Sequence, residues 1–544
     1  MIDREFTATE RVLSLFTTLR AGEGRVCIQL CAQSFLLMFA YYLLKVIREP
    51  MILADGSAEL KAYTTAAQAL LLMLIVPLFT RLYRHLSGLG RKHHLYRRTL
   101  IFFTLNLVGF AVAHALGWPI AIIFYIWLGI FSVLVLALFW AFSADLFNVK
   151  SGQRIFPLIA AASTLGALFG SGTAGWLDLQ LGHSAVMILS AAALCLPVWL
   201  SLATEQYVPD GSRATTREEP RTSSNPLLEG FELVWRNGYL TLIAGFVIVF
   251  NLINTNGEFI LATFVTEQAA TLAQSVTGAE SAANYITRFY STYLFFTTSL
   301  VFLIQLFLVS RIFASIGING ALFVLPLFMI ASYSLIALLP ILAVVRFAMI
   351  TENSVSYSLQ STTRHALFLP LTRAQKYIGK HTIDTFFLRL GDVLSGSFVY
   401  LLSTLVGIGI VSFACINAGL SCVLLGLSVA IGRRHRKLSR ANNGNSPPRA
   451  TARLDDLSIL AGEHCDYQID GSTFFDPDPG DALHYYAYTD HHKPLPRWIK
   501  FDGLSRSFHI RPPATDSGTL KIRVVAKDFD GLEAELSFTV RYGV

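Results

Sequence analysis

Apolar runs of about 20 residues, the length that crosses a bilayer core, recur along this 544-residue chain. They fall near 26–46, 63–82, 99–117, 119–142, 156–175, 184–202, 239–261, 286–310, 317–335, 336–355, 383–405 and 408–432. Twelve such runs need lipid as solvent. The composition agrees: 15% of residues are charged, against about a quarter in soluble chains, and the mean hydropathy is +0.52. The expected fold class is an all-α polytopic membrane protein with twelve transmembrane helices in two six-helix halves. A C-terminal all-β sandwich follows them.

Lys/Arg bias in short loops sets orientation. Arg81, Arg84, Arg91, Lys92, Arg97 and Arg98 cluster in the loop at 81–98, and Arg364, Arg373, Lys376 and Lys380 in that at 364–381. Arg433, Arg434, Arg436, Lys437 and Arg440 follow the last run. With twelve spans all three fall on one side, opposite the loop at 262–285, which holds no Lys or Arg. Both termini are therefore expected in the cytoplasm of a bacterial inner membrane. Residues 1–25 show no small-residue cleavage pattern and read as a cytoplasmic leader with an interfacial helix, not a signal peptide.

Six spans precede a polar stretch at 203–238 and six follow it, giving halves at 26–202 and 239–432. The halves echo each other: EPMILA at 49–54 resembles EFILAT at 258–263, and LGALFGSG at 165–172 resembles LGDVLSGS at 390–397. Such internal repeats favour a transporter with its solute site near mid-membrane between the halves. A basic tail and a Pro/Gly/Asn/Ser linker occupy 433–454. Beyond it, LKIRVVAKD and AELSFTVRY alternate as strands do, and LHYYAY, RWIKF and SFHIRP complete a sandwich over 455–544. The segment 451–544 carries 15 acids and 10 bases, so the rest holds a net charge of +12. Cytoplasmic loops near anionic lipid account for that excess, and no nucleic-acid partner is expected. Five of the six cysteines lie in apolar spans, so no disulfide framework is expected.

An ionisable side chain at bilayer depth costs roughly 2.5–3.5 kcal/mol on insertion scales, so it faces a cavity or a partner. Lys45 and Glu49 are four apart on one helix face, and Arg48 adjoins Glu49. They are expected to form a cationic site for an anionic solute, with Glu49 pairing both cations when it is empty. The alternative is that Lys45 and Arg48 snorkel to the interface. Arg389 joins the substrate-binding set. Glu258, at the place matching Glu49, is expected in a gating network with Arg346, Glu352, Lys380, Asp384 and Asp392. Structural ion pairing between helices is the alternative there. GxxxxGK(S/T), HExxH and GxSxG are all absent, so a carrier is expected, with neither catalytic residues nor a cofactor.

YYLLKVIREPMIL, FWAFSADLFNVKSGQRIFPLIAAASTLGALFGSG and HALFLPLTRAQKYIGKHTIDTFFLRLGDVLSG together resemble the ATP/ADP translocase family of plastids and obligate intracellular bacteria, in patches over 26–432. The resemblance implies a major facilitator fold that exchanges nucleotides, with basic residues on the phosphates. Lys45 and Arg48 match its two basic positions in the first span, Glu49 an acidic one, and Lys380 with Asp384 its K…ID pattern. The sequence departs at Leu128, where an acid is expected, at Asn254, where Glu is expected, and at Asp392, where a base is expected. The expected function is a secondary active transporter of an anionic or polar solute, ATP/ADP or another nucleotide among them. The alternative is a non-transporting membrane anchor for the C-terminal domain.

FFDPDPGDALHYYAY, LPRWIKFD, RSFHIRP and VVAKDFDG are similar to dystroglycan-type cadherin-like domains. That similarity implies an immunoglobulin-like sandwich with a protein partner and bound calcium. Asp476, Asp478, Asp481, Asp528 and Asp530 are the carboxylates such an ion would use; the alternative is that they form turns. Such domains usually work outside the cytoplasm, whereas the charge rule places this one inside, and the basic residues at 433–440 give that rule the greater weight.

Overall fold

The structure is a computed structural model. It describes residues 24–543 apart from 55, 89–91, 148, 207–225, 276–280, 373–374, 444–446, 478–482, 491–492 and 529–530. The leader before residue 24, most of the central loop, and Asp478, Asp481 and Asp530 thus lie outside the described residues. The chain divides into a helical unit, Met1–His435, and a second unit, Arg436–Val544.

In the first half the long helices are α1 (Gly24–Leu53), α2 (Ala58–Gly88), α3 (Lys92–Ala115), α4 (Ala121–Leu146), α5 (Val149–Leu181) and α6 (His183–Gln206). The second half opens with α7 (Gly238–Ser275). Ten stretches among the described residues are long and apolar enough to cross a membrane. One of them, Ala282–Leu338, is broken at Gly317, whose φ of 66° no helix accommodates. The break divides it into α8 (282–316) and α9 (318–338). The next helix, α10, runs through 342–366 and includes a π-turn at Ser356–Gln360. The last two are α11 (375–405) and α12 (Ile410–Asn443). Counted this way there are twelve long helices among the described residues.

The tenth run was expected at 336–355. The break at Leu339–Ile341 displaces it, so Glu352 sits inside α10 and not near its end. The polar stretch at 203–238 was expected as loop throughout, yet Pro226–Arg236 is helical. Its apolar residues recur at helical spacing, and Phe231 packs on Phe386 and Phe387 of α11.

The outer surface is apolar. Trp199, Leu338 and Phe347 are largely exposed, as suits side chains solvated by acyl chains. The interior instead holds buried polar groups, among them Gln33, Glu49, Lys61, Asn256, Glu352 and Asp392. Small residues let helices meet closely. A Cβ added at Gly166 of α5 would lie 2.2 Å from the Phe35 carbonyl oxygen of α1. One at Gly391 of α11 would lie 2.8 Å from the Ile248 carbonyl oxygen of α7. These two glycines occupy the same place in the echoed LG motifs, so the repeat visible in sequence is a repeat of helix packing.

The second unit is a β-sandwich. One sheet has the order β2 (Leu457–Ile459), β9 (Glu533–Tyr542), β8 (Gly518–Lys527), β5 (His484–Thr489); the other has β3 (Cys465–Gln468), β7 (Ser507–Ile510), β6 (Ile499–Asp502). A small pair joins β1 (Arg449–Ala450) to β4 (Phe474–Phe475). β2 runs parallel to β9, while the other ladders are antiparallel. Alternate residues point inward: Ile522, Val524 and Ala526 of β8 meet Phe538 and Val540 of β9, with Phe508 and Ile510 from the facing sheet.

Candidate functional site

The charged end of α1 opens onto a cavity of about 180 Å³ lined by α1, α2, α4, α7, α8, α10 and α11. Both halves therefore contribute to it. Pro50 is accommodated within α1, which ends at Leu53, so Lys45, Arg48 and Glu49 sit in its last turns.

Glu49 is buried and doubly held. Arg48 donates to its Oε1 at 2.5 Å, and Lys61 Nζ of α2 lies 2.8 Å from its Oε2. Lys61 also stands 3.6 Å from Glu258 Oε2 of α7 and donates to Tyr290 Oη at 3.4 Å. The two echoed acids are thus linked through one lysine, itself nearly fully buried. Arg48 also stacks over Tyr125, 4.0 Å from its ring centre, an arrangement that stabilises by roughly 2 kcal/mol when desolvated.

Lys45 does not pair with Glu49 as expected. A lysine placed N-terminal to a glutamate at i, i+4 is the weaker orientation, and Lys61 reaches the carboxylate from a facing helix. Lys45 lies 5.3 Å from the Tyr42 ring centre instead, and among the described residues it makes no ion pair.

On the far side Arg389 lies 3.4 Å from Asp392 Oδ2. Asp392 Oδ1 accepts from Asn251 at 2.6 Å and from Thr255 at 2.8 Å, both on α7. Glu258 Oε1 accepts from Asn353 Nδ2 at 3.2 Å and Tyr293 Oη at 3.4 Å.

The second half was expected to gather its charges into one network. The helices spread them over different places. Arg389, Asp392 and Glu258 line the central cavity. Lys380 and Asp384 line a separate cleft with His365 and Lys376, where Arg364 lies 3.8 Å from Asp384. Glu352 is fully buried and accepts from Tyr333 Oη at 3.3 Å, while Arg346 lies 5.3 Å from the Phe289 ring centre. Asp384 and Asp392 are two turns apart, far enough along α11 to serve different spaces.

Sequence reading missed Lys61, Tyr125, Tyr290, Tyr293 and Tyr357, all of which line the cavity. The sequence does carry a signal for Lys61: it follows Glu59 just before the apolar run at 63–82.

The family model of the TLC ATP/ADP transporter matches residues 92–439. The chain belongs to this family. It is a membrane transporter. The matched range begins after α1 and α2, so Lys45, Arg48, Glu49 and Lys61 lie outside it. An Ig-domain model, He_PIG, matches residues 447–543, in keeping with the sandwich.

No curated protein sequence matches this family member. Among solved structures its fold is similar to a mutant of the nucleoside transporter NupG, at 14% identity and a TM-score of 0.53, over 76% of this chain and 99% of that one. A POT family transporter in complex with 5-aminolevulinic acid matches at 13% identity and a TM-score of 0.53, over 76% and 96%. The peptide transporter POT in complex with sulfate matches at 12% identity and a TM-score of 0.54, over 79% and 98%. These likenesses concern the fold alone.

Of the aspartates expected to hold calcium, Asp476 and Asp528 are described. Asp528 Oδ1 accepts from the Leu532 backbone N–H at 2.8 Å, and the Asp528 carbonyl accepts from Gly531 N–H at 3.2 Å. This is a turn-forming arrangement.

Proposed function

We propose that this protein is a secondary active transporter whose central cavity binds an anionic solute of the nucleotide class and exposes it alternately to the two membrane faces. The observation that carries this reading is the charge balance of the cavity. Four cations, Lys45, Arg48, Lys61 and Arg389, face three carboxylates, Glu49, Glu258 and Asp392. The surplus is one positive charge, on groups from both halves. Lys45, which makes no ion pair among the described residues, and Arg389 are the cations that meet the anion first. Arg48 is committed to Glu49, which positions it against Tyr125. An anion that draws Lys61 away from Glu49 and Glu258 would unlink the halves, coupling binding to movement. A modest surplus suits a monoanion or dianion better than a fully charged triphosphate. No catalytic step is part of this reading.

We place the protein in a bacterial inner membrane with both termini cytoplasmic, on the loop charges. Protease treatment of spheroplasts tests that placement, since cleavage of the C-terminal unit from outside contradicts it. The test of function is uptake into proteoliposomes across labelled nucleotides and other organic anions. Uptake or exchange of at least one solute is expected. Lys45→Met and Arg389→Met should each weaken its apparent affinity by about 10- to 100-fold, the value of a charge-assisted hydrogen bond of about 1.5–3 kcal/mol. Folded protein that moves none of them overturns the reading.

A further inference from the structure

The second unit carries a group of side chains that the transporter reading does not use. His464, Asp466 and His509 each present one ligand atom, and these atoms lie within 4.8 Å of one another. Strand register builds the group. Asp466 of β3 is the direct cross-strand partner of His509 on β7. His464 immediately precedes β3, and its ring lies parallel to that of His509. The neighbouring Cys465 points to the other side, against the sandwich core.

Both imidazoles address the same carboxylate oxygen. His509 Nδ1 lies 2.6 Å and His464 Nε2 lies 3.1 Å from Asp466 Oδ1. The two rings are parallel within 7°, with centres 6.3 Å apart. Bonds of about 2.0–2.1 Å to a shared ion set neighbouring ligand atoms about 3 Å apart; the two His–Asp distances lie near that, and the three atoms together stay within 4.8 Å. All three side chains are about half exposed, so an ion has access and water can complete its shell. Two imidazoles and one carboxylate suit a borderline divalent ion better than calcium, which prefers an all-oxygen shell.

We propose that His464, Asp466 and His509 form a surface site for a divalent transition-metal ion of the zinc class. Each ligand nitrogen must be unprotonated to hold the ion, so ion and protons compete and binding weakens in acid. Lys500 of β6 is the next residue in the cross-strand row after His509, and its ammonium must turn to solvent when an ion is present. Lys500→Met therefore tightens binding.

The full-length chain, purified in detergent and stripped with chelator, is titrated with Co²⁺ and then with competing Zn²⁺. Visible Co²⁺ bands of a nitrogen- and oxygen-ligated ion are expected at one equivalent. His464→Ala and His509→Ala should each weaken Zn²⁺ binding by about tenfold or more, the scale on which even outer-shell ligand partners act. Both positions are exposed, so unchanged melting of the metal-free variants reports intact folding. Equal Zn²⁺ affinity and stoichiometry in the double variant overturns the site, because the ion then sits on other histidines. Absence of any Co²⁺ signal in the folded wild-type chain overturns it as well, leaving a hydrogen-bonded triad only.

Discussion

Lys61 Nζ stands 3.6 Å from Glu258 Oε2, and this ion pair joins α2 of the first half to α7 of the second. Removing the lysine leaves Glu49 buried with Arg48 alone. Breaking a buried pair by deleting one partner costs about 3–5 kcal/mol, so Lys61→Met should lower the melting temperature in detergent clearly. Adding Glu258→Gln should restore part of the loss, because Glu258 is the acid that loses its ion-pair partner with the lysine. A double variant less stable than Lys61→Met contradicts this account.

The echoed glycines give a second prediction. Gly166→Ala and Gly391→Ala each drive a methyl group against backbone of the adjoining helix, and such overpacking costs about 1–3 kcal/mol. Gly245 of α7 is the control, since a Cβ there meets nothing within 4 Å. Gly245→Ala should be neutral or gain about 0.5–1 kcal/mol from the helix backbone. Thermal melting of the three variants side by side tests the contrast.

Asp392 collects donors from Asn251, Thr255 and Arg389. Asp392→Ala strands the Thr255 hydroxyl and leaves the Asn251 amide only its bond to the Leu388 carbonyl at 2.8 Å, a penalty of about 1–3 kcal/mol for a buried group left unmade. Asp392→Asn keeps one acceptor oxygen and should lose less. Equal melting temperatures for the two variants would argue against this picture of the donors.

The sandwich should show an acid-side dependence of its own. The hydrogen bond from His509 holds the Asp466 carboxyl below the ordinary carboxylate range. A depressed carboxyl stabilises the fold above its unfolded value, about 3.9, and that stabilisation fades as pH falls through the lower folded value. Hydrogen exchange of β3 and β7 peptides should quicken as pH drops below about 4, after correction for intrinsic rates. Asp466→Asn should flatten that response.

Much of this was legible in the sequence. Charges in apolar runs stand out, so Lys45, Arg48, Glu49, Glu258, Arg389 and Asp392 could be named, and all six line the cavity. Lys61 was not, because Glu59 and Lys61 lower local hydropathy and moved the apparent start of α2 past them. The cavity tyrosines were invisible for the opposite reason: aromatic residues are ordinary in membrane helices. Which acid pairs with which base depends on helix approach: spacing points Glu49 to both Lys45 and Arg48, and Arg48 holds it together with Lys61 of α2, not Lys45. The His464, Asp466 and His509 group requires a strand register that joins residues 43 apart in sequence.

The parallel pairing of β2 with β9 sets how the sandwich bears force. Leu457, Ser458 and Ile459 lie beside Val540, Arg541 and Tyr542 in one direction. A pull applied between the start of β2 and the end of β9 therefore slides the two strands along each other. Every rung of that ladder takes the load together, whereas an antiparallel terminal pair would part rung by rung.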